Sequence, residues 1–200
     1  MSATIAAAAA AIAAAFYVAA ILAFVALHLK NRTLSIATSA VSEYAIGQSA
    51  RLFTIYGIIG SLGAIALAVA TYLRGDFPAR VPLYLALLVL IRFGVLVFRT
   101  DKGGKADTAE GRIHLLFAIA TFALTYMALA AAGPDAERLA PSALAQCLQV
   151  LSWIAAASLA AVVVTLAPPL RNFFGLAERA FLSSSLIWFL LFAIALAIRN

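Results

Sequence analysis

The sequence has little charge: only 11% of its 200 residues are Asp, Glu, Lys or Arg, and 66% are hydrophobic. Soluble domains carry about 25% charged residues, so this chain has too few polar side chains to cover a surface in water. An ordinary soluble domain is therefore excluded, and the lipid bilayer is the alternative solvent. The 14 Lys and Arg residues are spread over loops, so we expect no nucleic-acid partner.

Cysteine and histidine are also scarce. The single Cys147 excludes an intramolecular disulfide. His28 and His114 could hold a haem axially, and His114 could bind a metal with Asp101 and Glu43. No HxxxH or HExxH spacing supports either site. We therefore expect no metal and no cofactor.

What the sequence has in abundance is long apolar runs. Six runs are each close to the roughly 20 residues that a helix needs to cross a bilayer core of about 30 Å. They cover about residues 4–29, 53–73, 80–98, 113–132, 146–167 and 180–198. The runs are apolar all round, without the alternation of barrel strands. The sequence thus predicts an all-α integral membrane protein, a bundle of six transmembrane helices in one polytopic domain over residues 1–200.

An even number of spans places both termini on one side of the membrane, here called the terminal side. The first, third and fifth loops then share the opposite side, here called the loop side. The terminal side collects four arginines: Arg74, Arg80, Arg138 and Arg199. The loop side collects nine cations: Lys30, Arg32, Arg51, Arg99, Lys102, Lys105, Arg112, Arg171 and Arg179. The positive-inside rule therefore predicts a multi-pass protein with the loop side in the cytoplasm and both termini outside.

The unusual polar residues are concentrated on the loop side. They are His28, Asn31, Ser42, Glu43, Tyr44, Gln48, Asp101, His114, Asn172, Glu178 and Arg179. Arg92 lies inside the third apolar run, two turns before its loop-side end. It can snorkel to water, pair with Glu43 or Glu178, or hold a lipid phosphate.

Two more of these residues leave alternatives open. Glu43 lies in the apolar stretch "SAVSEYAIG", where it is either a helix-start carboxylate or a buried group that needs a partner. His114 stands at the start of the fourth span. It is either an interfacial histidine bound to a loop carbonyl, or a general base or metal ligand.

Three stretches in this order resemble the bacterial membrane family known as domain of unknown function 998. They are "VSEYAIG", "FRTDKGG" followed by "EGRIH", and "GLAERAFLSSSLIW". The matching positions are Ser42, Glu43, Tyr44, Gly47, Thr100, Asp101, Gly111, His114, Gly175, Glu178, Arg179 and Trp188, and Arg99 departs from the pattern. The resemblance implies six spans over the whole chain, the bacterial inner membrane as the location, and no defined reaction. A more distant similarity to the Frag1/DRAM/Sfk1 six-helix group implies a role with membrane lipids, and loop one on the exoplasmic face.

Three functions fit these observations. The first is binding of a lipid or small amphiphile in a polar pocket at one membrane face. The residues that would form this pocket are Glu43, Tyr44, Arg92, Asp101, His114, Glu178 and Arg179. The second is an intramembrane lipid-modifying enzyme that uses His114 with Glu43 or Asp101. The third is a structural or accessory subunit, in a homo-oligomer or with a membrane partner protein. A transporter or channel is disfavoured, because most spans lack central charges or a polar stripe.

Overall fold

A computed structural model describes residues 2–104 and 106–199 of the chain. Lys105, one of the nine loop-side cations, lies outside the described residues. Six long helices dominate: α1 (Ser2–Lys30), α2 (Ala50–Arg74), α3 (Arg80–Val97), α4 (Ala109–Leu139), α5 (Ser142–Val164) and α6 (Phe174–Ile198). All six are long and apolar enough to cross a membrane, and the described ranges contain no strand. The predicted fold class is confirmed.

The helices pack in chain order, each against its sequence neighbours, and α6 returns to contact α1 and α4. Helices satisfy their backbone hydrogen bonds internally, which a bilayer requires of every spanning segment. More than half of the α6 span is buried, a larger share than in any other span. Phe181, Trp188 and Phe192 of α6 are fully buried. The core of the bundle therefore lies around α6.

Helix α4 is longer than the sequence predicted, because it continues through Pro134 to Leu139. We expected the helix to end near residue 132, before this proline. The segment stays helical because Ala132 and Ala136 on either side of Pro134 remain buried. Asp135 also accepts a hydrogen bond from Arg138 one turn later, at 2.9 Å. The fourth loop is consequently reduced to residues 140–141.

Helix α6 begins at Phe174, six residues before the predicted start of its apolar run. Glu178 and Arg179 therefore lie in the helix and not in the loop before it. Both are buried, at 5% and 6% exposure. A pattern based on apolar runs excludes charged residues from a span, and this is why the prediction started too late.

Loop one covers the loop-side end of the bundle. It contains two short 3₁₀ helices, Val41–Ala45 and Gly47–Ser49. Tyr44 and Ser49 are buried against the bundle, and the Ser49 hydroxyl donates to the Tyr44 carbonyl at 2.9 Å. Gly47, the first residue of the second 3₁₀ helix, adopts a φ of 78°, a conformation that favours glycine. Loop one is thus an ordered cap rather than a linker.

Candidate functional site

Arg179 fastens loop one to the first turns of α6. Its Nη1 donates to the carbonyl oxygens of Ser39 at 2.7 Å and Ile36 at 3.0 Å. The loop comes so close that a Cβ at Gly175 would lie 2.5 Å from the Ser39 oxygen. Glycine at this position therefore permits the approach, and the guanidinium holds it.

The same arginine connects α6 to α1 through His28. Its Nε donates to His28 Nε2 at 2.8 Å, and His28 Nδ1 lies 2.7 Å from the carbonyl of Phe24. Because Nδ1 donates to that carbonyl, Nε2 is the acceptor of a neutral imidazole. The guanidinium carbon also lies 5.8 Å from the centre of the Tyr44 ring. The buried Arg179 and Tyr44 and the half-buried His28 thus form one network that locks loop one.

The carboxylates of Glu43 and Glu178 differ in how their oxygens are used. Glu43 accepts from the backbone N–H of Ala40 at 2.8 Å and of Gly103 at 3.2 Å, so it joins loop one to loop three. Glu178 accepts from the Val41 N–H at 2.6 Å through Oε2. Its Oε1 receives no hydrogen bond from any described residue. Glu178 therefore has one carboxyl oxygen, Oε1, that is available to accept a hydrogen bond.

Asp101 orders loop three against the start of α4. The backbone N–H and the hydroxyl of Thr108 both donate to its carboxylate at 2.9 Å. These hydrogen bonds lower the pKa of Asp101 below its usual value. Thr108 in turn accepts from the Gly111 N–H at 2.9 Å and caps α4. A side chain at Gly111 would collide with the Asp101 carboxylate.

His114 is only 3% exposed and faces the interior from the second turn of α4. Its Nδ1 donates to the carbonyl of Phe98, at the end of α3, at 2.8 Å. This bond assigns the acceptor lone pair to Nε2. Nε2 is buried and has no hydrogen-bond partner among the described residues.

Arg92 is half-buried on α3 and extends toward α2. Its Nη1 lies 2.9 Å from where a Cβ at Gly60 would be, so it occupies the notch that this glycine leaves. Within the described chain it makes no ion pair, either with Glu43 or with Glu178. The pairing considered from the sequence is therefore not formed, and Glu43 is already bound by loop backbone.

Two adjoining cavities lie beside these residues. The outer cavity, of about 280 Å³, lies between the first half of α4, the end of α5 and the start of α6. The inner cavity, of about 70 Å³, lies between α2, α3, α4 and α6. Both are lined by Ser42, His114, Ala118, Phe122 and Glu178. They are therefore neighbours that share one polar boundary.

The two cavities differ in chemistry. The inner cavity adds Arg92, Tyr56 and Thr121, whose hydroxyl oxygen is buried without a partner in the described chain. The outer cavity adds Leu115, Ile119 and Leu166, and each of these is exposed on the outside of the bundle. The inner cavity is thus lined by a charged arginine, whereas the walls of the outer one include apolar side chains that are exposed on the outside of the bundle. Two larger depressions, of about 430 and 480 Å³, lie on the loop surface and contain none of the unpartnered buried atoms found in the described residues.

The structure divides the predicted site residues into two groups. Arg92, His114 and Glu178 meet around the inner cavity. The other four hold loops together next to it: Glu43, Tyr44, Asp101 and Arg179. No group of three or more His, Cys, Asp or Glu side chains placed to bind a metal ion occurs in the described ranges.

Sequence reasoning missed Thr121 and Tyr56. Thr121 follows His114 by seven residues and Ala118 by three, the spacing of one helix face. That spacing was visible in the sequence, but a single threonine in an apolar run carried no signal of its own. Tyr56 could not have been assigned, since it reaches the cavity from another helix.

A model of the family described as "protein of unknown function (DUF998)" matches residues 11–195. The chain belongs to the DUF998 family. The match reaches into all six helices, so the resemblance seen in the three sequence stretches is confirmed. No curated protein and no solved structure matches this DUF998 protein. Since the family description names no activity, the function has to be argued from the cavities.

Proposed function

We propose that this DUF998 protein binds a lipid or another small amphiphile in the inner and outer cavities. The observation that carries the proposal is His114 Nε2, a buried acceptor without a partner in the described chain, at the boundary of the two cavities. A buried polar atom left without a hydrogen bond costs about 1–3 kcal/mol. A donor on an occupant would recover that free energy.

The walls of the cavities suit the two ends of an amphiphile. A head group would enter the inner cavity, next to Arg92 and Glu178. An acyl chain would follow the outer cavity past Leu115 and Ile119, which are exposed on the outer face of α4. Apolar pockets with a few convergent polar groups are typical ligand sites. The ligand would therefore enter from the bilayer between α4 and α5.

The test is native mass spectrometry of the protein released from native-lipid particles. Ala118 lines both cavities, so Ala118→Phe would fill the space. Ala123→Phe makes the same change on an exposed position of α4. We expect a discrete bound mass in the wild type and in Ala123→Phe, and its loss in Ala118→Phe. An unchanged bound mass in Ala118→Phe would reject the cavities as the site.

The second candidate function is an intramembrane enzyme acting on a lipid. His114 Nε2 faces the cavities with a free lone pair, as a general base requires. Glu43 and Asp101, the partners considered from the sequence, bind loop groups instead, and Glu178 is the carboxyl that shares the cavities. An enzyme would convert a lipid in vesicles, and His114→Gln would abolish conversion while the Tm persists. If cavity substitutions lower only Tm, the protein is an accessory subunit.

We further propose the bacterial inner membrane as its location, with the loop side in the cytoplasm, on the strength of the loop-side excess of cations. Single cysteines in a Cys147→Ser background test the orientation. Ser35→Cys lies exposed in loop one, and Ser142→Cys lies exposed at the terminal side. A membrane-impermeant maleimide added to intact spheroplasts should label only Ser142→Cys. Labelling of Ser35→Cys alone would establish the opposite orientation.

A further inference from the structure

We propose that the preferred occupant is a zwitterionic amphiphile, whose head group carries an anionic group next to an ammonium group that retains N–H donors. An aminophospholipid has this chemistry. This inference rests on the proposed function and specifies its ligand class.

The first half of the argument concerns Arg92. It lines the inner cavity from α3 and makes no ion pair or hydrogen bond within the described chain. A guanidinium carries five N–H donors in a planar fork and no acceptor. Its best partners are planar or tetrahedral oxyanions, which it binds through two parallel hydrogen bonds. On the α3 side of the inner cavity, Arg92 would therefore bind a phosphate or carboxylate.

The second half concerns the wall formed by α4 and α6. His114 Nε2 is an acceptor because Nδ1 donates to Phe98. Glu178 offers Oε1, since Oε2 already accepts from Val41. Both residues line the same cavity as Arg92. Two acceptors that line one cavity are satisfied by donors, and an ammonium with N–H groups supplies donors together with the charge that complements a carboxylate.

A zwitterion satisfies both walls at once. A purely anionic head group would leave Glu178 facing a like charge, and a quaternary ammonium would have no N–H for His114. The inner cavity, at about 70 Å³, also has room for a few water molecules. Water molecules that bridge Arg92 to Glu178 would satisfy both side chains without a ligand. The experiment must therefore distinguish water-filled cavities from cavities that hold a lipid head group.

The experiment titrates the delipidated, full-length protein with three phospholipids of identical acyl chains, read out by native mass spectrometry. Phosphatidylethanolamine has N–H donors, phosphatidylcholine has a quaternary ammonium, and phosphatidylglycerol is anionic. We expect phosphatidylethanolamine to bind at least about tenfold more tightly than either of the others, the effect of one charge-assisted hydrogen bond.

Two variants locate the preference. Glu178→Gln keeps an oxygen for the Val41 N–H but loses the charge, so the preference for phosphatidylethanolamine should disappear. Arg92→Met should weaken the binding of all three lipids, because each carries the phosphate. Glu137→Gln, half-buried on the terminal side of α4 and away from both cavities, is the matched control.

The outcomes separate this inference from the proposed function. Equal affinity for the three lipids, with all binding blocked by Ala118→Phe, would overturn the zwitterion inference and leave amphiphile binding intact. A preference that persists in Glu178→Gln would overturn it too, because the selecting group would lie elsewhere. No binding of any of the three lipids would overturn the zwitterion inference. If the wild type released from native-lipid particles also carried no bound mass, as water-filled cavities predict, the proposed function would be overturned as well.

Discussion

Replacing Arg179 with methionine tests whether its network holds loop one on the bundle. The guanidinium makes three hydrogen bonds to groups outside α6: the carbonyls of Ile36 and Ser39, and His28 Nε2. Arg179→Met is similar in length and removes all three hydrogen bonds. Each bond to a charged donor contributes about 1.5–3 kcal/mol, but the desolvation cost of burying the guanidinium is also removed. We expect the free energy of unfolding to fall by about 3–5 kcal/mol. Three neutral acceptors lose their donor at about 1–3 kcal/mol each, and the guanidinium desolvation that is no longer needed offsets part of that loss.

The assay is thermal unfolding in detergent, combined with limited trypsin digestion at Arg32 in loop one. Arg138→Met is the control, because Arg138 is exposed and its ion pair with Asp135 is contained within α4. Exposed pairs contribute about 0–1 kcal/mol, so this control should be close to wild type. Loop one should become cleavable in Arg179→Met before the bundle unfolds. A Tm and a cleavage rate equal to those of the control would refute the role of Arg179.

Two further predictions concern the inner cavity and loop three. Gly60→Ala would bring its Cβ within 2.9 Å of Arg92 Nη1, the flexible end of that side chain. It should therefore displace Arg92 and weaken lipid binding in the native mass spectrum with little change in Tm. Gly133→Ala is the control, because a Cβ there meets no atom within 4 Å, and it should stabilise α4 by up to about 1 kcal/mol. Equal lipid binding in Gly60→Ala and Gly133→Ala would contradict the placement of Arg92. Hydrogen bonds from Thr108 lower the pKa of Asp101 from its ordinary 3.8, so the carboxylate contributes stability above about pH 3.8 that is lost as pH falls below it. Hydrogen exchange of loop three should increase over that acidic range in the wild type and remain insensitive to it in Asp101→Asn; the same acid response in both proteins would assign the effect to another group.

The candidate site was only partly predictable from the sequence. Its location on the loop side could be predicted, because polar residues are rare in so hydrophobic a chain. The order of six spans places most of them on the same side of the membrane. Which of them share a cavity could not be predicted, since Arg92, His114 and Glu178 come from three different helices. His28 was noticed as a loop-side residue, but its role as the acceptor for Arg179 depends on the contact between α1 and α6.

The sequence by itself determined the six helices and their order, because a bilayer requires each spanning segment to satisfy its own backbone hydrogen bonds. That requirement is local, so it can be read from one apolar run at a time. The tertiary structure decided the rest: that α4 continues through Pro134, that Glu178 and Arg179 are buried in α6, and that Arg92 lines a cavity without forming an ion pair in the described chain. These outcomes depend on which helix faces meet, and a polar group in lipid acquires its partner only when another helix or loop is placed beside it.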